Sequence, residues 1–165
     1  MAVTTEQGQV VRDGERVRLV FRRWYPEHRI EDVWSALVEP ELLARWYGRW
    51  AGDPASGAVQ IAMSPGAEPE PAMIDACSPP TRLVVTLTGG DGAWPLEVDL
   101  AEQEGGTSLD FLHHLSEPYD ASSIGPGWHY YLDRLAAVLA GTVVPDDFDA
   151  YFPAPAGSYR IPPPV

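Results

Sequence analysis

Hydrophobic positions in the last third of the chain recur with the period of a helix. Between Gly125 and Gly141, Trp128, Tyr131, Leu132, Leu135, Ala136 and Leu139 share one broad stripe at about 100° per residue, with His129, Tyr130, Asp133 and Ala137 opposite. The spacing predicts a helix with one face to bury. Pro126 is tolerated in a first turn, and Gly141 suits the left-handed residue that follows a last turn, so both boundaries are signalled.

Upstream, the period shortens to that of strands. Val17, Leu19 and Phe21 alternate with Arg16, Arg18 and Arg22 behind an Asp13-Gly14 turn, which predicts a long strand to Trp24 fed by a short one at residues 10–12. Pro26 ends it. Val33, Trp34, Leu37 and Val38 then recur at helical spacing behind the acidic first-turn residues Glu31 and Asp32. Pro40 allows a second short helix to start, with Leu42, Leu43, Trp46 and Tyr47 on its apolar side and Gly48 as its stop.

From Gly52 the chain is rich in Gly, Pro and Ala. Strands are expected at residues 58–63 and 72–77 around an acidic loop at 64–71, then at 82–88, 94–102 and 107–115, with turns at 78–80, 89–92 and 105–106. Such spacing describes an antiparallel meander. Its inner faces are set by Leu83, Val85 and Leu87, by Trp94, Leu96, Val98 and Leu100, and by Leu109, Phe111 and His113. Residues 1–9 are polar and expected to fray. Residues 142–165 are rich in proline and aspartate yet carry Phe148, Tyr151, Phe152 and Tyr159, which predicts an extended tail lying on the domain formed by residues 10–141.

Composition narrows the partners. Eleven Lys and Arg against 24 Asp and Glu leave a formal charge of -13, which repels nucleic acid and anionic membrane surfaces. The single cysteine, Cys77, can form no internal disulfide and excludes a multi-thiolate zinc site. No apolar run approaches the roughly 20 residues of a membrane span and no secretion signal opens the chain, so a cytoplasmic protein is expected.

The candidate chemistry is sparse. His113 and His114 are adjacent in a strand and point to opposite faces, so they cannot chelate one metal; His114 is expected to pair with Asp110 on the outer face. Cys77 with His113 lacks an oxyanion-hole motif or a helix N-terminus that would lower the thiol pKa. The Gly-rich turns open no phosphate-binding helix. No metal or cofactor is expected.

The segments Phe21 to Pro26, Val33-Trp34-Ser35-Ala36-Leu37 and Glu39-Pro40-Glu41-Leu42-Leu43-Ala44-Arg45-Trp46 resemble the opening of START-like (SRPBCC) domains, and more narrowly the branch named after the activator of the 90-kDa heat-shock-protein ATPase. Ser78-Pro79-Pro80-Thr81-Arg82-Leu83, Gly105-Gly106-Thr107 and Gly127-Trp128 follow in the same order. The resemblance spans residues 16 to 141. It implies an α+β helix-grip (START/Bet v 1-like) fold, in which a curved antiparallel sheet wraps the last helix and leaves a cavity. Wider members bind lipids, hormones or polyketides there, and some are cyclases or hydrolases. The namesake co-chaperone has a further chaperone-binding domain ahead of this one, which is not expected here.

On that fold Trp46, Leu83, Val85, Trp94, Leu96, Val98, Phe111, His113, Trp128, Tyr131, Leu132 and Leu135 would face the space between sheet and helix. The same side chains also suit a filled core. With a cavity, Tyr131 and His113 would orient a small hydrophobic or amphipathic ligand of lipid- or polyketide-like kind, and Trp46, Tyr47 and Trp50 would stand at its mouth. This binding reading is preferred. The alternatives are a polyketide cyclase or hydrolase using His113 as acid or base, and a chaperone-interacting module using the acidic surface or the tail, with the chain a monomer or homodimer.

Overall fold

The computed structural model describes residues 7–89 and 92–164. Positions 1–6 of the expected frayed terminus and 90–91 of the expected turn lie outside them, whereas Gln9 is already in a strand. A hairpin opens the fold: β1 (Gln9–Asp13) and β2 (Arg16–Pro26) meet at Gly14, whose φ of 62° suits a residue without a Cβ. Alternation along β2 buries Val17, Leu19, Phe21, Arg23 and Tyr25. Arg23 thus occupies an inward position, its guanidinium 5.4 Å from the Phe21 ring centre.

Helix α1 (Ile30–Val38) turns Ile30, Val33, Trp34, Ala36 and Leu37 inward. Helix α2 is a single turn, Pro40–Leu43, started by its proline. Strands β3 (Arg49–Ala51), β4 (Ala58–Ala62), β5 (Glu70–Ser78), β6 (Arg82–Gly89), β7 (Gly92–Gln103) and β8 (Gly106–Leu115) follow. Three-residue β3 is too short for alternation to announce it. Glu70 and Pro71 belong to β5 rather than to the expected acidic loop, because they pair with Ile61 and Gln60 of β4.

All eight strands form one antiparallel sheet in the order β1-β2-β8-β7-β6-β5-β4-β3. Strand β8 returns to lie against β2, placing Phe21 opposite Phe111, and Leu19 opposite His113. Helix α3 (Ala121–Ala140) closes the inner face and ends on Gly141 at φ 70°. It begins before Gly125, so Pro126 lies inside it. The lost bond is the one to the Ser122 carbonyl near the helix start, where Ser122 is exposed and water can replace the missing N–H. The whole is a helix-grip arrangement.

Burial on α3 is wider than one stripe. Trp128, Leu132, Leu135 and Ala136 are buried as expected, but Tyr130 and Ala137, expected on the wet side, are each only 8% exposed. The segment after α3 is the reason. The Phe148 ring lies 5.2 Å from Tyr130, the Tyr151 hydroxyl donates to Asp133 Oδ2 at 2.7 Å, and Tyr159 enters the main core 6.3 Å from Phe21. Gly125 makes room: a Cβ there would stand 2.5 Å from the Tyr159 ring.

Candidate functional site

The sheet is wider than its covering helix, and the shortfall shows along β6, where every residue is only half-buried. A cleft of about 520 Å³ opens there. Helix α3 supplies one wall through Ser123, Ile124, Gly127, Trp128 and Tyr131, spaced by one, three, one and three residues so that they follow one flank of the helix. Leu87 and Gly89 of β6 and Trp94 of β7 supply the floor, with Tyr47, Met63 and Phe148 at the rim. Two carboxylates complete it, Glu70 from the sheet and Asp120 from the residue before α3.

Aromatic rings dominate this surface. Tyr47 stacks on Trp128 at 5.6 Å and 18°, meets Tyr131 edge-on at 5.0 Å, and Trp94 lies 6.2 Å from Trp128. Burial, then neighbouring Tyr131 and Glu70, raise the Tyr47 pKa far above its ordinary value. Burial and then Tyr130 raise that of Tyr131, against a smaller opposing pull from Arg134. Both phenols therefore keep their protons at neutral pH.

Below the cleft, Trp128 Nε1 donates to His113 Nδ1 at 3.0 Å, and the Trp94 ring lies 4.8 Å from the imidazole. Burial, helped by His114, lowers the His113 pKa to about 4. The ring is therefore neutral at pH 7 with its proton on Nε2, since Nδ1 must accept from the indole. Its hydrogen-bonded neighbour is an indole, which neither gives nor takes a proton in acid–base chemistry.

Of the twelve residues expected to face a cavity, eleven divide into three groups and Trp46 stands apart. Trp94, Trp128 and Tyr131 line the cleft. His113 and Phe111 lie beneath it against Trp128. Leu96, Val98, Leu132 and Leu135 are packed in the core, with Leu83 and Val85 half-buried against it. Trp46 and Trp50 turn away from the mouth: their indoles donate to the Ala36 and Val38 carbonyls, each at 2.8 Å, tying the chain to α1. Tyr47 alone of that trio lines the cleft. Sequence reasoning misses Ser123 and Ile124 by starting the helix too late. It misses Glu70, Asp120 and Phe148 because only the fold brings them there.

Elsewhere the expected chemistry is corrected. His114 contacts Glu97 of β7 and not Asp110, which sits 3.8 Å from Arg22. Four residues along a strand span roughly 13 Å, whereas a cross-strand neighbour lies within reach. Cys77 is exposed on β5, separated from the strand of His113 by β6 and β7, and so by roughly 14 Å. Among the described residues no cluster of three or more His, Cys, Asp or Glu could hold a metal, and no helix is long and apolar enough to cross a membrane.

Comparison with solved structures finds the same architecture. CalU16 from Micromonospora echinospora superposes with a TM-score of 0.67 at 24% identity, covering 91% of this chain and 93% of that one. A Bordetella parapertussis protein gives 0.65 at 23% identity over 92% and 90%. A conserved Enterococcus faecalis protein of unknown function gives 0.66 at 20% over 87% and 85%. At these identities the likeness shows the fold. No curated protein matches the sequence. The family model described as "Activator of Hsp90 ATPase homolog 1-like protein" matches residues 27–140.

Proposed function

The chain belongs to the activator of Hsp90 ATPase homolog 1-like family, and from that premise we propose that this START-like domain holds a small apolar or amphipathic molecule in the cleft between its sheet and α3. One observation carries the reading: about 520 Å³ of space walled by Tyr47, Trp94, Trp128 and Tyr131. That volume falls within the roughly 300–1,000 Å³ of small-molecule sites, and the mix of aromatic walls with a few polar groups is their usual lining. Two of the protein's tryptophans would touch the ligand, so binding reports on itself through their fluorescence.

His113 enters this reading as a positioning residue. Its neutral Nδ1 fixes the indole of Trp128, and so the wall of the cleft, while the imidazole itself stays behind the rings. A filling substitution provides the test. At Gly127 a new Cβ would meet only the Phe148 ring at 3.8 Å, an ordinary contact, so Gly127→Leu would extend into the cleft without distorting the helix. Fatty acids, polycyclic phenols, sterols and aromatic amines are titrated against both proteins by tryptophan fluorescence and native mass spectrometry. The native chain should bind at least one class with micromolar affinity, and Gly127→Leu should fold normally yet lose that binding. Retained binding in Gly127→Leu, or none in the native chain, would overturn the assignment.

A further inference from the structure

Charge and ring placement define what the cleft would select. Among the described residues its ionisable groups other than phenols are Glu70 and Asp120, both carboxylates. Asp120 holds the position before α3, where an aspartate ordinarily accepts a hydrogen bond from the first turn, yet its side chain makes no such bond and lines the cleft instead. Glu70 lies across Gly89, whose missing side chain is what admits it: a Cβ there would stand 2.5 Å from the carboxylate. A cation, Arg134, lines an adjoining hollow with Tyr47 and Tyr131. Its guanidinium donates to the backbone carbonyls of Trp46, Arg45 and Pro145 and to the Tyr130 hydroxyl.

Faces of indole and phenol rings attract cations, and the exposed carboxylates at the edge of the cleft add an attraction that salt screens. We propose that the cleft is selective for organic cations, namely amines or quaternary ammonium compounds whose apolar body rests on Tyr47, Trp94 and Tyr131 while Glu70 and Asp120 face the charge. This deepens the binding reading and rests on it. An anionic ligand, such as a fatty acid carboxylate, would meet two like charges. A neutral one would gain the apolar contacts alone.

Three probes of one shape separate these cases: a naphthylethyl group carrying trimethylammonium, the uncharged tert-butyl isostere, and the corresponding carboxylate. Titrations of the full chain by calorimetry at low and moderate salt should show the ammonium binding roughly ten-fold or more tightly than the tert-butyl compound, with the carboxylate weaker than both. Added salt should narrow the gap. In the Glu70→Gln/Asp120→Asn double variant the ratio of ammonium to tert-butyl affinity should fall toward one, and a ratio unchanged from the native chain would overturn charge selection. Equal binding of all three probes would overturn charge selection and leave the binding cleft standing. Binding of none would overturn both.

Discussion

Burial of His113 makes the protein's stability depend on pH in a defined window. Its pKa in the fold is about 4, against an ordinary 6.5 in the unfolded chain. Above pH 6.5 the ring is neutral in both states and the packed arrangement keeps its full stability. As pH falls from 6.5 toward 4, the unfolded chain takes up a proton that the folded one refuses, so stability drops until both states are protonated. The separation converts to about 3 kcal/mol, a large share of the roughly 5–15 kcal/mol that holds a domain folded. Other groups titrate in this range, so the effect must be isolated by difference. His113→Asn serves, because its side-chain oxygen occupies nearly the place of Nδ1, can still accept from Trp128, and does not titrate. Urea unfolding at pH 7.5, 6.5, 5.5 and 4.5 should show the native protein losing about 2.5 kcal/mol more than the variant across the series, the remainder being lost below pH 4.5. Imidazole nitrogen shifts should place the folded His113 transition near pH 4. Parallel pH curves for the two proteins, or a transition near 6.5, would refute the neutral buried ring and with it the hydrogen bond that fixes Trp128.

Three further outcomes follow from the packing. Trp128→Phe removes the indole donor and strands His113 Nδ1, and should cost about 1–3 kcal/mol in urea unfolding at pH 7.5. Leu135→Ala, at a side chain with no exposure, should cost about 2–5 kcal/mol by the same measurement. Gly125→Ala would drive a methyl group into the Tyr159 ring, so the segment after α3 should be displaced and limited proteolysis should cut beyond Gly141 far faster than in the native chain.

Most of the framework was legible because it rests on local periods. Alternation at Leu83, Val85 and Leu87 and at Leu109, Phe111 and His113 marked the inner faces, and Gly141 marked the end of α3. The errors have physical sources. Pro126 pulled the expected helix start toward itself, although one lost bond beside an exposed Ser122 is tolerable. Tyr130 read as solvent-facing because amphipathicity assumes a single buried face, whereas the returning chain with Phe148 and Tyr151 supplies a second cover. Arg23 shares the inward phase of Phe21, and no pattern of apolar residues predicts a buried cation.

The cleft was the least legible feature, and its geometry explains why. Eight strands at roughly 4.8 Å spacing make a surface about 34 Å wide before curvature, while one helix with its side chains covers roughly 10–12 Å. Helix α1 adds cover and the segment around Tyr159 seals another margin, yet β6 remains half-exposed. The opening thus arises from a shortage of cover, not from a run of dedicated residues. Its walls come from Tyr47, Glu70, Leu87, Trp94, Asp120, Tyr131 and Phe148, scattered over a hundred positions with no shared period. Only the resemblance to a known fold singles out Tyr47, Trp94 and Tyr131, and Glu70, Leu87, Asp120 and Phe148 read in their own segments as ordinary core or surface residues. What distinguishes them is that the sheet, α3 and the segments flanking them turn these side chains toward one volume which α3 leaves unfilled. A substitution that restores cover, such as a bulky side chain at Gly127, should therefore remove the site while leaving every element of the fold in place.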